Sequence, residues 1–459
     1  MAGPTPGPAE SLPVRNEYLL GPVAPPMETR SVVTVFLTNG GEVLLLRRSE
    51  AVGSYPGRWG GVAGHVEPGD APLSAAKREI REETGLDAQA VTLVSSGEPF
   101  SVTDPDLDVE WTVHPFRFET DTRDVQSNWE TTETAWVPPP AICDRETVPD
   151  LWRSWDRIRP TVEQVRADSE AGSATLSKRA LEVLRDEATL IAADGGDWDD
   201  IAQVALDLRT AREAMVVLQV RVDRVMAEAS EDRTPDAVRR AAIEALSRAE
   251  SADRAAAELA AERVEGQTVL TLSRSGTVEQ ALERGSPETV WVPVSRPGRE
   301  GRELASDLAE AGLDVRLTSD ANIPGAVSEV DVVLLGADTL LANGDVINKV
   351  GTTAAALAGT HFDVPVSVVA ATAKISPSEQ PPDLTDGGAD HEQLSAPESV
   401  TVVDPIFERT SAALFDGYLT EDGVLDADAI SEYAANHAQA AAWKQSLTGP
   451  SANDGPGRQ

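Results

Sequence analysis

The sequence predicts three consecutive folded parts: an α+β sandwich over residues 30–145, an all-α helical bundle over 160–264, and an α/β domain with a parallel sheet over 265–447. Three observations predict this order. A strand-turn-strand pattern opens the first part, an Ala-rich helical pattern fills the second, and short apolar runs alternate with amphipathic segments in the third. The length of 459 residues also exceeds what one core ordinarily holds.

The first two parts carry clear turn and start signals. Residues 31–37 (SVVTVFL) and 42–48 (EVLLLRR) flank the turn TNGG, which predicts a β-hairpin. In the second part we expect Thr234 to cap a helix that begins at Pro235. A threonine hydroxyl can accept from the first free amides of a helix, and proline fits its first turn.

The third part alternates strand and helix. Residues 301–313 (GRELASDLAEAGL) predict a crossover helix. The predicted strands are TVLTL at 268–272, VWVPV at 290–294, DVVLLG at 331–336 and VSVVAA at 366–371. Stretches rich in Gly, Pro and acids are predicted to be mobile, namely a disordered tail at 1–29, a flexible loop at 376–399 and a tail at 448–459.

The chain is strongly acidic. It has 39 Lys and Arg residues against 77 Asp and Glu residues, a formal net charge of −38, and only five of the cations are lysines. Such a surface repels nucleic acid and anionic lipid, but it becomes tolerable where salt screens the self-repulsion. We therefore expect no direct nucleic-acid binding and a halophilic source, with a generic solubility charge as the alternative.

Composition excludes several other classes. No run approaches the roughly 20 uncharged residues of a membrane-spanning helix, and residues 1–10 do not resemble a secretory signal. We therefore expect a cytoplasmic protein. The single cysteine, Cys143, excludes an internal disulfide and a thiolate zinc cage, and the histidines form no compact metal motif.

The densest chemistry is a run of carboxylates at helical spacing. Glu79, Glu82 and Glu83 stand at i, i+3 and i+4, on one face of a predicted helix. Like charges this close are unfavourable unless a cation lies among them, and hard oxygen ligands suit magnesium or manganese. Arg78 can pair with a neighbouring carboxylate, and Gly64 allows a close backbone approach. The alternative is a solvated acidic helix face.

The segment 64–86 (GHVEPGDAPLSAAKREIREETGL) resembles the Nudix box. That pattern is G-x5-E-x7-R-E-U-x-E-E-x-G-U, with U aliphatic. The matching residues are Gly64, Arg78, Glu79, Ile80, Glu82, Glu83, Gly85 and Leu86. One position departs from the pattern, because Asp70 stands where the family has its first Glu.

The Nudix resemblance implies an α/β/α sandwich that hydrolyses a nucleoside diphosphate linked to another moiety. It implies a Mg²⁺ or Mn²⁺ cofactor held by Glu79, Glu82, Glu83 and the Gly64 carbonyl group, with Arg78 holding the cluster in register. The catalytic residues implied are therefore Glu82, Glu79, Glu83 and Arg78.

Two roles stay open within this resemblance. Glu82 is the first choice as general base, and the alternatives are Glu98, Glu110 and Glu133. An aromatic ring could stack on a nucleobase or simply pack in the core. The candidates for this role are Trp59, Trp111 and Phe116.

Polar residues also collect after an apolar run of the third part. The strand 331–336 leads into a small-residue turn with Asp338, followed by Asn348 and Lys349. Polar groups at the carboxyl ends of parallel strands form the ligand sites of open α/β sheets. Lys349 can hold a phosphate or sugar oxygen, although an ordinary polar loop is the alternative.

Residues 165–445 resemble the family that joins the translation initiation factor 2B alpha, beta and delta subunits with methylthioribose-1-phosphate isomerase and ribose-1,5-bisphosphate isomerase. The supporting segments are SRPGREGRELASDLAEAGLDV at 295–315, GAD and NGDVINKVGT within 336–352, VSVVAATAKISP at 366–377, FERTSAAL and DGVLDADAI. The resemblance implies a helical bundle, a Rossmann-like domain and a homodimer formed through that domain.

The isomerases of this family use a cysteine and an aspartate for proton transfer. Asp338 matches the aspartate, but the cysteine loop reads LSRSG and contains no thiol. A hydroxyl has a far higher pKa than a thiol and replaces it poorly in acid–base chemistry. The family's Arg-Gly-Ala segment is also altered, to Ala-Gly-Ser-Ala at 171–174. The ligand-binding residues predicted for this domain are Asp338, Asn348, Lys349, Ser273, Ser275 and Arg296.

Three functions are consistent with these patterns. The leading hypothesis is a Nudix hydrolase fused to a factor 2B-like domain that binds a phosphorylated sugar or a nucleotide. The second is a sugar-phosphate isomerase similar to ribose-1,5-bisphosphate isomerase, in which Asp338 acts without the cysteine. The third is a non-catalytic regulatory protein with an initiation factor or metabolic partner. The intact box disfavours the third, and the missing thiol disfavours the second.

Overall fold

The structure is a computed structural model that describes residue 3 and residues 27–169, 171–382, 396–397 and 399–447. The predicted tail 448–459 lies outside the described residues, as does most of the predicted tail 1–29 and of the predicted loop 376–399. Within the described ranges, no helix is both long enough and apolar enough to cross a membrane.

The first part is a sheet covered by helices on two sides. Its elements are β1 (Glu28–Asn39), β2 (Glu42–Arg48), β3 (Trp59–Gly60), β4 (Val62–His65), α1 (Pro72–Thr84), β5 (Thr92–Ser96), β6 (Phe100–Asp104), β7 (Val109–Glu119), β8 (Thr131–Val137) and α2 (Leu151–Asp156). The central strand order is β3-β2-β1-β7-β5, with β4 on β1, β6 on β7 and β8 on β2. The predicted hairpin is present, because β1 and β2 are antiparallel and Thr38 lies opposite Val43.

Strand β1 explains the two-sided core. Successive side chains of a strand point to opposite faces. Val35 lies in one apolar cluster with Ile80 of α1, whereas the Phe36 ring lies 5.4 Å from the Trp155 ring of α2. Because α2 completes this second core, the sandwich extends past the predicted end at residue 145.

Helices α3 (Val162–Ala167), α4 (Ser173–Ala193), α5 (Trp198–Ala211), α6 (Val216–Glu228) and α7 (Pro235–Val264) form the middle part. Their apolar faces share one core. The predicted start of α7 is confirmed, because the Thr234 hydroxyl accepts a hydrogen bond from the Ala237 N–H at 3.2 Å and Pro235 is the first helical residue.

The last part is built on a mainly parallel sheet. Its elements are β9 (Thr268–Leu270), α8 (Gly276–Gly285), β10 (Thr289–Pro293), α9 (Glu300–Glu310), β11 (Val315–Thr318), α10 (Ile323–Val327), β12 (Val332–Gly336), β13 (Thr339–Leu340), β14 (Val346–Lys349), α11 (Thr352–Phe362), β15 (Val366–Val369), β16 (Phe407–Thr410), β17 (Gly417–Thr420), β18 (Gly423–Leu425) and α12 (Ala427–Ala440). The strand order is β11-β10-β9-β12-β15-β17-β18, and only the β17–β18 pair is antiparallel. The four predicted strands are all present.

A second, smaller sheet was not predicted from the sequence. It has the order β13-β14-β16 and is antiparallel. Strand β14 carries Asn348 and Lys349. These two predicted ligand residues therefore lie in a buried strand and not in a polar loop.

Candidate active site

The glycine at the start of the Nudix-like segment lies directly beneath a carboxylate of α1. Gly64 is in β4 and pairs with Val33 of β1, so its backbone is fixed by the sheet. A Cβ atom at this position would overlap the Glu79 carboxyl group. Glycine is therefore required here because the Glu79 side chain occupies the space of a side chain at residue 64.

The third carboxylate of the helix is buried and tied to the same strand. Glu83 is 7% exposed, and the Ala63 N–H donates a hydrogen bond to its Oε1 at 3.1 Å. Burial raises the pKa of the Glu83 carboxyl group to about 8. Burial also raises the pKa of Glu79, and the nearby Glu82 raises it further. A cation would relieve both effects, because it favours the charged form of each carboxylate.

Arg78 contacts Glu79 and is itself held by two hydrogen bonds. Its Nη1 donates to Asp70 Oδ2 at 2.9 Å and its Nη2 donates to the His65 carbonyl oxygen at 3.2 Å. The same guanidinium lies 3.6 Å from Glu79 Oε1. Asp70, which departs from the Nudix pattern, thus contacts the arginine and not the carboxylate cluster itself. A shorter acid can make this contact.

The residues present fit a hard divalent cation by their chemistry. The donors are carboxylate oxygens and a backbone carbonyl, on a helix and a strand that meet at Gly64. Across the described ranges, however, no three His, Cys, Asp or Glu side chains already converge as a metal cage. Glu83 Oε1 instead accepts the hydrogen bond from the Ala63 N–H.

Glu130, just before β8, was not predicted as a site residue. It lines the same cleft as Glu79 and Glu82, and its charge raises the pKa of Glu79 and of Glu83. Asn128 holds the loop in place by donating to the Glu82 carbonyl oxygen at 3.2 Å. None of the predicted alternatives for the base, Glu98, Glu110 or Glu133, lines this cleft.

The cleft has a volume of about 810 Å³, and aromatic and apolar side chains form part of its wall. Trp111 lines it and is 8% exposed, with its Nε1 donating to the Tyr55 hydroxyl at 3.1 Å. Trp129 also lines it and is 67% exposed. By contrast, Trp59 and Phe116 belong to the two cores of the sandwich and do not line the cleft.

A second cleft, of about 500 Å³, lies between the helices and the parallel-sheet part. Its walls come from the start of α4, the α5–α6 connection and the turn after β12. Asp338 lines it, and burial raises the pKa of this carboxyl group. The Lys374 ammonium donates to the Ala337 carbonyl oxygen at 2.5 Å, and burial lowers the pKa of this lysine. Residues 171–173 of the altered segment lie on the opposite wall.

The other residues predicted for this domain do not line the second cleft. The Lys349 Nζ donates to Glu300 Oε1 at 2.6 Å, and Asn348 Nδ2 donates to the Thr352 hydroxyl at 3.0 Å. The remaining three residues are Ser273, whose N–H donates to Ser295; Ser275, which precedes α8; and Arg296, which is exposed. Of the six, Asp338 alone lines the cleft.

Two protein-family models match this chain, each over a different region. Residues 169–427 match the Initiation factor 2 subunit family, and this match covers more than half of the chain. The chain belongs to the Initiation factor 2 subunit family. Residues 27–157 match the NUDIX domain, which supports a hydrolase at the first cleft. Both resemblances seen in the sequence are therefore confirmed.

The proteins that are similar to this chain include sugar-phosphate isomerases. The ribose 1,5-bisphosphate isomerase of Archaeoglobus fulgidus is 31% identical over 59% of this chain and 90% of that protein. The methylthioribose-1-phosphate isomerase of Serratia proteamaculans is 28% identical over 63% of this chain and 93% of that protein. The solved structure of translation initiation factor eIF-2B from Pyrococcus horikoshii OT3 covers 57% of this chain and 94% of its own, at 24% identity and a TM-score of 0.48.

The Initiation factor 2 subunit region of this chain contains no thiol. Cys143 is the only cysteine of the sequence, and it lies outside residues 169–427. It follows the 3₁₀ turn Pro139–Ile142 and is exposed. The second cleft is therefore lined by carboxylates and hydroxyl groups such as those of Asp338 and Thr339, but by no cysteine.

Proposed function

We propose that residues 27–157 act as a divalent-metal-dependent Nudix pyrophosphohydrolase on a nucleoside diphosphate derivative. One observation carries the proposal: the Glu79 carboxyl group occupies the space above Gly64, while Glu83 reaches the adjacent Ala63 amide. A solvated acidic helix face would leave its carboxylates in water. Here Glu83 is buried and Glu79 is largely buried, which is costly without a cation.

The proposed reaction is the attack of water on a phosphorus atom of the diphosphate. A Mg²⁺ or Mn²⁺ ion, when bound, supplies charge neutralisation for the diphosphate and lowers the pKa of water. Glu79, Glu82, Glu83 and the Gly64 carbonyl group would hold the ion. Arg78 keeps Glu79 in position, because its own guanidinium is fixed by Asp70 and by the His65 carbonyl oxygen.

The proton of the attacking water needs an acceptor in the same cleft. Glu82 is our first choice, since it is exposed and lines the cleft. Glu130 is the alternative that the structure favours over Glu98, Glu110 and Glu133, because it lines the cleft and they do not. Variants of Glu82 and of Glu130 distinguish the two candidates. The variant that lacks the general base should lose the rising limb of its pH–rate profile, whereas the other variant should keep it.

The aromatic wall suits a nucleoside. Trp129 lines the cleft with a ring that is 67% exposed, whereas Trp111 lines it with a ring that is 8% exposed and fixed by the Tyr55 hydroxyl. Stacking of a base on such rings is favourable and tolerant of base identity. We therefore place the nucleoside at this wall and the diphosphate at α1.

We infer that the second cleft binds a phosphorylated sugar or a nucleotide without isomerising it. The missing thiol supports this, because Asp338 has no cysteine partner within residues 169–427. Isomerisation stays the second candidate function, since the similar proteins are isomerases and Asp338 lies in the cleft with a raised pKa. The homodimer, the cytoplasmic location and an initiation factor partner stay predictions of the sequence.

A substrate screen tests the proposal. The full chain is assayed for magnesium-dependent cleavage in molar potassium chloride with nucleoside diphosphate sugars, dinucleotides, nucleoside triphosphates and ribose 1,5-bisphosphate. Products are identified by mass. We expect cleavage of a diphosphate that is lost in Glu83→Gln and kept in Glu98→Gln, an exposed glutamate outside the cleft. Isomerised ribose 1,5-bisphosphate without any cleavage would contradict the proposal.

A further inference from the structure

A third cavity, of about 710 Å³, is lined by helices α6, α7 and α12. The turn between β17 and β18 also lines it, through Glu421 and Asp422. Of the described residues on its wall, none lines the first or the second cleft. Cavities of this volume hold small-molecule ligands. The third cavity is therefore a separate candidate site.

Arg224 of α6 brings an unpaired positive charge to the third cavity. Its side chain lines the cavity and is half-buried, and its guanidinium forms no hydrogen bond or ion pair with any described residue. A charge that is partly removed from water is costly unless it is paired. A planar guanidinium pairs well with a carboxylate, through two parallel hydrogen bonds. The cavity therefore suits a ligand that brings an anionic group to Arg224.

His437 of α12 brings an unpaired acceptor to the same cavity. Its ring lines the cavity, is 5% exposed, and donates from Nδ1 to the Ile375 carbonyl oxygen at 2.8 Å. Burial lowers the pKa of this ring and the charge of Arg224 lowers it further, so the ring is neutral and lies near the guanidinium. Nε2 of such a ring is an acceptor. It has no hydrogen-bond partner among the described residues and is not one of their solvent-inaccessible unpaired atoms, so the cavity reaches it.

Three carboxylates on the wall set the rest of the ligand. Both Glu228 oxygens accept from Arg248 Nη2, at 2.8 and 2.7 Å. Asp422 Oδ2 accepts from the Tyr433 hydroxyl at 2.5 Å, and Glu421 is the third carboxylate. An ionised carboxylate has further lone pairs, so each of the three can also accept from a hydroxyl group. A second negative charge on the ligand would be repelled by them.

We infer that the third cavity binds a polyhydroxy monocarboxylic acid, that is, a sugar acid, with its carboxylate on Arg224 and a hydroxyl group on His437 Nε2. Its other hydroxyl groups donate to the carboxylates of the wall. The inference does not depend on the functions proposed for the first and second clefts. A simple fatty acid would leave His437 without a donor, and a neutral polyol would leave Arg224 without an anion.

Calorimetric titration of the full chain with three linear probes of equal carbon number tests the inference. Gluconate has a carboxylate and hydroxyl groups, sorbitol has hydroxyl groups alone, and hexanoate has a carboxylate alone. The buffer contains no divalent metal, so that gluconate cannot bind at the first cleft through a cation. We expect gluconate to bind at least about tenfold tighter than either of the others, because each of them lacks one of the two recognised groups.

Variants locate the binding in the third cavity. Arg224→Met should weaken gluconate binding to that of sorbitol. Ala252→Leu places a larger side chain on the cavity wall and should block gluconate as well. Arg254→Met is the matched control, because Arg254 is an exposed arginine of α7 that does not line the cavity, and it should bind gluconate as the unmodified chain does.

Several results would overturn the inference. Equal affinity for gluconate and hexanoate would mean that any carboxylate binds, and equal affinity for gluconate and sorbitol would mean that Arg224 takes no part. No binding of gluconate, or equal losses in Arg224→Met and Arg254→Met, would also overturn it. If Arg224→Met does not fold, as judged by its circular dichroism melt, Ala252→Leu and the three probes on the unmodified chain still decide the inference.

Discussion

Arg117 of β7 and Glu182 of α4 form an ion pair of 3.1 Å in which both side chains are less than a tenth exposed. The pair lies where the sandwich meets the helices. The guanidinium also lies 5.6 Å from the Trp155 ring centroid, over its face. Nearby, the Trp155 Nε1 donates to Asp186 Oδ2 at 3.0 Å. The junction between the NUDIX domain and the helices is thus a buried polar contact and not a linker.

Removing one partner of this pair should be strongly destabilising. Glu182→Ala leaves Arg117 charged and buried, so we expect the free energy of unfolding to fall by about 3 kcal/mol. Urea denaturation at constant salt measures this fall in the free energy of unfolding. Glu244→Ala is the control, because Glu244 is exposed and pairs with Arg248 on the surface, where a loss of about 0.5 kcal/mol is expected. Equal losses in the two variants would contradict a buried, paired junction.

Asp70 should act through Arg78. Asp70→Ala removes the hydrogen bond of 2.9 Å that holds the guanidinium, so we expect turnover of the diphosphate to fall by about tenfold or more. Asp70→Glu restores the family's acid and should restore turnover. Steady-state kinetics measure the turnover of each variant and a thermal melt measures its stability, so together they separate lost positioning from unfolding. A loss of turnover in Asp70→Ala that is also seen in Asp70→Glu, or one that unfolding explains, would argue against a positioning role for Asp70.

Much of the first site could be predicted because its geometry is local. The spacing of Glu79, Glu82 and Glu83 places them on one turn of α1, and Gly64 stands at a fixed distance before them. Even so, the sequence could not reveal that the Glu79 carboxyl group fills the space above Gly64. Glu130 was missed because only the fold of β8 against β2 brings it to the cleft.

The second site was harder to predict, and the reason is again distance along the chain. Lys349 was predicted to bind ligand, but it pairs with Glu300, which is 49 residues earlier and begins another helix. Arg212 lines the second cleft from a different part of the chain altogether, at the end of α5. Long-range pairs of this kind have no signature in a single sequence.

Histidine 437 should make the fold sensitive to acid. The His437 Nδ1 donates to the Ile375 carbonyl oxygen at 2.8 Å, and burial lowers the pKa of the ring below its ordinary 6.5. The unfolded chain therefore binds a proton that the folded chain does not, and the free energy of unfolding falls as the pH drops through 6.5. In His437→Gln this part of the slope should vanish. Melting curves from about pH 7.5 to about pH 5 measure it, and parallel curves for the two proteins would contradict the prediction.

The acidic surface should make stability depend on salt. With a net charge of −38, self-repulsion in the folded state is weakened when salt shortens the screening length. We expect the melting temperature to rise steeply from low to molar potassium chloride. A flat melting temperature would contradict a halophilic source.

The most direct test of the account is manganese binding measured by electron paramagnetic resonance. The full chain is titrated with Mn²⁺ alongside Glu79→Gln and the control Glu98→Gln. If α1 and Gly64 hold the catalytic cation, the unmodified chain and Glu98→Gln bind the ion equally, and Glu79→Gln binds it at least about tenfold more weakly and loses diphosphate cleavage. Equal binding and equal cleavage by all three proteins would show that the carboxylates of α1 do not form the metal site.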